Sequence, residues 1–593
     1  MSFRNEIVGL RAISVISIIF FHLGYDIFNG GFIGVDIFFV ISGYLITLII
    51  VNDFVNNKFN LINFYKKRFC RIYPALLFLL IVVYLVSWFI FFPNYHKVVG
   101  QYIFSSILSI TNLLLFLDNN KYFESDLASN PLLHTWSLGI EVQFYFIFSI
   151  ILVWILKFKK KILLFILISF FLLSLIFSEF AWRIFPVANF YLIFSRLWEF
   201  FLGSAVALII IRDGLKKNGF LAFIGFFLIF FSILFFNKTV PSPSIYIFIP
   251  LLGTVLILLF ASNDTLVAKI LGSKLFAYIG SISYSLYLWH LPLQVFIQYL
   301  FESGFYQSFL YFFLLLALSS FTYHYIEEPF RKKIPFKVLS ILSILVILPL
   351  IFISLLGHFN GGFPDRSELF SNLRTNNGWG LACNGNTQIR INCAENINPN
   401  IAILGNSYAM VYVNELKKNK NYDVVQLTQD SCAVGFVDKI NEKSCEKFYK
   451  EAIKNINNSN SINTVVISSP FEKEFSNKFY SNSFIDLLKG LKDKKIIIIG
   501  PTPSAPFNVA ECIFKNKIYK FKECSFDVPE EHYLKINNLK KTLQNIQVTF
   551  IDITEVVCPS SKCIMKIGKN DAFYIDTGHL SLTGASKVIR NFF

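Results

Sequence analysis

Cysteine is almost missing from the long first part of this chain. Of nine cysteines, only Cys70 precedes Phe363. No Cys-x-x-Cys pair occurs in the sequence, so the close spacing common among zinc-binding thiolates is not met. A small-residue cleavage site is also lacking behind the first apolar run, which carries Arg11 inside it. That run is expected to stay as a transmembrane helix and not to be removed as a leader. The net charge is +16, yet there is no basic stripe or aromatic platform of the kind nucleic-acid binding needs, and nucleic acid is not an expected partner. Nor is there an inverted hydropathy repeat or a pair of broken helices, which counts against a transporter or flippase carrying an external sensor.

What the chain has is apolar sequence, unevenly spread. It is 54% hydrophobic with 70 Phe, above the usual apolar share of soluble proteins. Up to about Leu356 it is a series of long apolar runs; after Phe363 it turns mixed, Asn- and Lys-rich. Runs of the length that spans hydrocarbon cover 7–23, 33–51, 73–92, 138–156, 161–179, 190–211, 219–236, 245–261, 282–300, 308–326 and 338–357, predicting about 11 spans. Basic residues in the short connections (Lys58 to Arg71, Lys157 to Lys161, Arg212 to Lys217, Arg331 to Lys337) belong on the cytoplasmic side. Keeping them there requires that the run 101–117 not cross fully, so 94–137 is expected as an external excursion with a re-entrant or interfacial helix. The N-terminus is then cytoplasmic and the C-terminal part external. The remaining cysteines fall as near neighbours, Cys383/Cys393, Cys432/Cys445, Cys512/Cys524 and Cys558/Cys563, which suits disulfides in an oxidising compartment, with a zinc site as the rival. Pairing by proximity is one among roughly 105 connectivities.

Ionisable groups within spans mark a site by default. The first span holds Arg11 and His22, about three helical turns and roughly 16 Å apart on one face; a snorkelling Arg and an interfacial His are the bland alternative. Asp36 sits in a strongly apolar second span and needs a partner. Arg68 and Arg71 stand at a helix mouth, suited to bidentate phosphate binding or to plain positive-inside anchoring. His134 and Glu141 are seven apart with Trp136 between them, and share a face if both are helical. Arg196 and Glu199 lie inside one span, and Ser283 to Pro292 contains His290.

In the C-terminal part, short aliphatic runs at Ile401–Leu404, Val424–Leu427, Thr464–Ile467, Lys495–Gly500 and Val548–Ile551 alternate with amphipathic helix-length segments. This predicts a parallel sheet wrapped by helices. The first run leads into Gly405-Asn406-Ser407 and a helix, where a Ser is either a nucleophile at the carboxyl end of a strand or an N-cap. Asp576 and His579, three apart near the C-terminus, can supply orienter and base.

Taken in order, Gly9-Leu-Arg11 to His22, Gly34-Val-Asp36 to Gly43, Arg68-x-x-Arg71, His134-Thr-Trp136 to Tyr145 and Tyr284 to His290 resemble the membrane acyltransferase-3 family of O-acetylases over roughly 3–337. Val8 and Val142 replace acids usual there. The remainder, about 400–593, resembles SGNH hydrolases, with a flavodoxin-like α/β fold. Asn406 stands for the usual Asp of the first block, Tyr408 where fused relatives often have His, and Ser468-Ser469-Pro470 where an Asn is expected. The resemblance divides the chain into a membrane acyltransferase domain at 1–337, a linking transmembrane helix at 338–357, a connector at 358–399 and a periplasmic SGNH-like domain at 400–593. It implies transfer of an acyl group, most commonly acetyl from cytoplasmic acetyl-CoA, to a hydroxyl of an envelope glycan: lipopolysaccharide first, peptidoglycan second. Arg68 and Arg71 would hold the CoA phosphates, His22 would act as base or transient acyl acceptor, and Arg11 and Glu141 would be further catalytic residues. Asp36, His134, Trp136 and His290 would line the site. Ser407, His579 and Asp576 would form a triad, with Asn406 beside the nucleophile and Gly435 a second oxyanion donor. A degenerate, glycan-binding C-terminal domain is the alternative. The expected setting is a bacterial inner membrane, with the bilayer and a glycan as partners and no metal; oligomeric state is not legible.

Overall fold

A computed structural model describes residues 4–117, 130–158, 163–301, 304–373, 376–435, 443–471, 478–491, 493–519, 523–568 and 571–593. Lys159, Lys160 and Lys161 of the expected cytoplasmic cluster, and part of the 94–137 excursion, lie outside them. The chain forms two compact units, Met1–Phe363 and Pro364–Phe593.

The first unit is helical. Each apolar run becomes a helix: Asn5–His22, Gly34–Val55, Leu61–Ile90, Thr135–Phe158, Leu163–Ile184, Ile193–Asp213, Gly219–Phe235, Phe248–Phe260, Ser283–Leu300, Phe305–Phe321 and Phe336–Phe359. Among the described residues, eight helices are long and apolar enough to cross a membrane, and 219–235 and 245–260 are shorter apolar segments. With hydrocarbon outside, backbone polar groups must be satisfied within each helix, which is why long apolar runs take this form. The run 101–117 is no single helix. It breaks at Ser109, with φ of +55°, between Pro93–Ile107 and Thr111–Leu117.

Close helix contacts depend on small residues. A Cβ on Gly43 would lie 2.0 Å from the Phe200 carbonyl oxygen, and one on Gly203 would lie 1.9 Å from that of Val40. The helices Gly34–Val55 and Ile193–Asp213 therefore pack backbone to backbone. This approach brings Arg196 to Asp36, an N–O distance of 2.6 Å, with Glu199 3.2 Å away on the other side.

The second unit carries five parallel strands, β1 (Ile401–Gly405), β2 (Val424–Thr428), β3 (Thr464–Ser468), β4 (Lys495–Ile499) and, after β5 (Ser525–Asp527) in chain order, β6 (Thr549–Ile551). Their spatial order is β2-β1-β3-β4-β6, the doubly wound order of flavodoxin-like sheets. A two-stranded antiparallel ribbon of β5 with β7 (Lys562–Ile564) lies beside it. Helices of 10 to 16 residues connect the strands, and the core between them is aliphatic, from Ala402, Leu404, Val425, Val465, Ile467 and Ile498 to Phe484 and Leu539. The segment expected as a connector packs on β2: Trp379 N–H donates to Gln426 Oε1 at 2.8 Å and Gly385 N–H to the Thr428 carbonyl at 2.8 Å. All four neighbouring cysteine pairs are disulfides.

His532 gives this unit a pH dependence. The ring is buried, with Nε2 2.8 Å from Thr554 Oγ1. The Thr554 hydroxyl proton is committed to Asp552, so Nε2–H of a neutral ring donates to Thr554. Burial pushes the imidazole down to about 4, Asp552 opposing and Lys535 adding to it. A base whose folded value is depressed binds fewer protons than the unfolded chain below its ordinary value. Stability is then retained above about pH 6.5 and lost as pH falls toward 4, by up to about 1.4 kcal/mol per pH unit. Thermal unfolding of the wild type between pH 7 and 4 should fall more steeply than that of His532→Gln; parallel slopes would remove the role.

Candidate active site

β1 ends in Gly405, whose φ of +150° and close approach to Ser468, where a Cβ would lie 2.3 Å from the carbonyl oxygen, admit only glycine. The chain turns there, so that Ser407 begins the helix Ser407–Leu416 at the carboxyl edge of the sheet. Asn406 is the N-cap, its Oδ1 accepting from Tyr408 N–H at 3.1 Å, so Ser407 is not needed for capping. Its Oγ is 2.8 Å from His579 Nε2. His579 Nδ1 is 2.7 Å from Asp576 Oδ2, while Asp576 Oδ1 accepts the backbone amides of Gly578 and His579, each at 2.8 Å. Burial alone would raise the Asp576 carboxyl, but the His579 hydrogen bond and charge and these two amides outweigh it and hold it below the usual carboxylate range. An ionised Asp576 keeps Nδ1 protonated, which leaves Nε2 to take the Ser407 proton.

The turn that carries Asp576 and His579 is pinned from outside the motif. Thr502 Oγ1 donates to the Gly578 carbonyl at 2.7 Å, the Tyr574 hydroxyl to that of Pro503 at 2.8 Å, and Ala505 N–H to that of Thr577 at 2.7 Å. The Tyr408 ring lies on the His579 ring at 4.2 Å between centroids. Asn406 Nδ2 reaches Ser469 Oγ and the Cys432 carbonyl, both at 3.2 Å, so Ser469 takes the position beside the nucleophile that the third block would occupy. A Cβ on Gly435 would lie 2.9 Å from Ser483 Oγ.

Among the described residues of the membrane unit, two cavities bring ionisable side chains together. One is lined by three arginines, Arg11, Arg68 and Arg71, against one acid, Glu141, with Ser42, Tyr145 and Tyr284. Glu141 accepts from the Ser42 and Tyr145 hydroxyls, and Arg68 lies over the Tyr145 ring at 5.9 Å. Arg68 Nε has no hydrogen-bond partner among the described residues. The other cavity is lined by His22, His134, Asp36, Trp136, Arg196 and Ser242. The His22 ring is 5.1 Å from His290, which is 5.0 Å from His134. His22 Nδ1 donates to the Ile18 carbonyl at 3.0 Å, which leaves Nε2 as the basic nitrogen of a neutral ring.

Several expected placements change here. His134 precedes the helix Thr135–Phe158, so it does not share a face with Glu141; the two line different cavities. Glu141 stands with the arginines, and Arg11 likewise opens on the arginine cavity. Trp136 packs its ring 5.4 Å from the Arg196 guanidinium. Asp36 has its partner in Arg196. No group of three or more His, Cys, Asp or Glu among the described residues is arranged to hold a metal.

A bundle of apolar helices enclosing buried arginines and histidines, joined to an α/β unit that carries a Ser–His–Asp hydrogen-bond chain, defines a multi-pass membrane protein. Its family follows from comparison: the Acyltransferase domain matches residues 4–324, more than half of the chain, which belongs to that family. An SGNH domain of the kind fused to AT3 domains matches 382–592. The chain is 34% identical over 374 residues to the O-acetyltransferase OatA of Staphylococcus aureus (strain MRSA252), covering 58% of this chain and 61% of the relative. It is 32% identical over 347 residues to the Peptidoglycan O-acetyltransferase OatA of Listeria monocytogenes serovar 1/2a, covering 55% and 56%. The chain thus spans about three fifths of the length of the curated relatives it matches. Among solved structures, the periplasmic domain of the Salmonella ser. Paratyphi A lipopolysaccharide acetyltransferase is similar at 20% identity, covering 38% of this chain and 95% of its own, with a TM-score of 0.33.

Proposed function

We propose that this protein transfers acetyl from cytoplasmic acetyl-CoA to a hydroxyl of an envelope glycan, with the N-terminus cytoplasmic and the Ser407 unit periplasmic in a bacterial inner membrane. The observation that carries the donor assignment is the arginine cavity. Three guanidinium groups facing one carboxylate leave a net positive wall in a low-dielectric setting, and Arg68 keeps an unused donor. Phosphate and pyrophosphate groups satisfy such donors bidentately. His22, in the adjoining cavity, would act as base or transient acyl acceptor for the acetyl carbonyl.

At the triad, Ser407 Oγ attacks the acyl carbonyl while its proton passes to His579 Nε2, and that proton then leaves with the departing group. The glycan hydroxyl attacks the resulting ester, gives its proton to His579, and takes the acyl group as Ser407 recovers its own. His579 and Asp576 side chains are 27% and 37% exposed, which leaves room for a bulky acceptor. The disulfides favour a Gram-negative periplasm and so a lipopolysaccharide sugar. Peptidoglycan is the second reading, favoured by the printed name of the Listeria relative.

The test is binding of acetyl-CoA to solubilised protein, followed by transfer of labelled acetyl in membranes to each glycan class. Arg68→Glu with Arg71→Glu should raise the Kd for acetyl-CoA by about ten- to a hundredfold, as expected for the loss of one or more charge-assisted hydrogen bonds. Unchanged affinity would remove the donor assignment.

A further inference from the structure

The arginine cavity and the histidine cavity have two residues in common: Val35 and Tyr287 line both. Every other described lining residue belongs to one cavity or the other. The direct way from the arginines toward His22 runs beside these two side chains.

Tyr287 is held firmly in place. Its hydroxyl donates to the His134 carbonyl at 2.9 Å and shares a 2.5 Å hydrogen bond with the Ser137 hydroxyl. Its own carbonyl accepts from His290 Nδ1 at 2.6 Å. The ring packs edge-on against His134 at 5.3 Å and Phe38 at 6.4 Å, and lies tilted beside His290 at 5.3 Å. The helix Ser283–Leu300 is thereby tied to the turn before Thr135–Phe158 at the place where the cavities meet. Swinging the ring aside would break the anchor at its hydroxyl. The other shared residue, Val35 of the helix Gly34–Val55, is β-branched, with little rotamer freedom in a helix.

We propose that Tyr287, together with Val35, is a size filter for the acyl group, admitting a two-carbon acyl and excluding longer chains. This rests on the donor assignment above, with acyl-CoA on the arginine side and His22 on the other. A fixed aromatic wall cannot yield to extra methylenes without displacing packed neighbours, and one methylene in a fitted pocket changes selectivity by about ten- to 200-fold. Tyr287 acts by position and touches the acyl chain without taking part in proton transfer.

The test uses full-length protein in membranes supplied with acetyl-CoA or butyryl-CoA, and reads the ratio of butyryl to acetyl ester formed on glycan. Tyr287→Ala should raise that ratio at least about tenfold, while Tyr287→Phe, which keeps the ring but loses the anchor at its hydroxyl, should fall between alanine and wild type. Val35→Ala should move the ratio the same way by less, and serves where Tyr287→Ala does not accumulate. A wild-type ratio in the alanine variants, or equal loss of both acyl groups, overturns the filter and leaves the donor assignment standing. Wild-type protein that transfers no acetyl from acetyl-CoA overturns the donor assignment and the filter with it.

Discussion

Ser407→Ala should lower hydrolysis of a small acyl ester such as para-nitrophenyl acetate by about 10⁴-fold or more, with little change in unfolding. The reason lies in the hydrogen-bond chain. Asp576 is fixed by two backbone amides and a depressed carboxyl, His579 is fixed by Asp576 and the Tyr408 ring, and Ser407 is the last member. Members of such a chain act as a unit, so His579→Ala should cost about as much, and the double variant little more. Asp576→Asn should also cost about 10⁴-fold, because an amide no longer selects the tautomer that leaves Nε2 basic. The helix that begins at Ser407 should survive these changes, since its cap is Asn406. Full-length solubilised protein, assayed for ester hydrolysis and for thermal unfolding, checks both halves of this expectation. A Ser407→Ala protein that hydrolyses the ester at the wild-type rate would exclude a serine nucleophile.

That triad was legible in the sequence because its parts are local. The four aliphatic residues Ile401–Leu404, closed by Gly405, read as a buried strand, and Ser407 follows two residues on. Asp576 and His579 are three residues apart, so one turn carries both. The residues that hold that turn, Thr502 and Tyr574, were not legible: their bonds reach the 576–579 turn or the Pro503 loop by long-range packing. The membrane unit divides the same way. Its apolar runs mark helices because backbone in hydrocarbon has no other stable form. The need of Asp36 for a cation was visible, but not that Arg196, distant in sequence, would meet it, because the meeting depends on the glycine contacts of two helices. The separation of Glu141 from His134 was hidden too. It turns on where the helix starts, and boundaries are the least certain feature of any apolar run. The antiparallel ribbon of β5 and β7 was missed because each strand is only three residues long, too short for alternation to register.

His22→Ala should reduce transfer of labelled acetyl from acetyl-CoA to glycan by about 10²–10⁴-fold, the usual loss when a positioned general base is removed, while ester hydrolysis at Ser407 persists. The two readouts separate because His22 and Ser407 belong to different compact units, Met1–Phe363 and Pro364–Phe593. The cavity around His22 should tolerate the change: its ring contacts His290 and Phe21, but the ion pair of Asp36 with Arg196 that ties two helices together does not include it. His22→Gln keeps a donor for the Ile18 carbonyl and should be as inactive as alanine if the lost function is basicity at Nε2. Recovery of transfer in the glutamine variant would mean that His22 is needed for its hydrogen bond and not for its chemistry. Loss of ester hydrolysis along with transfer would instead mean that the triad depends on the membrane unit, and the division of labour proposed for the two halves would be wrong.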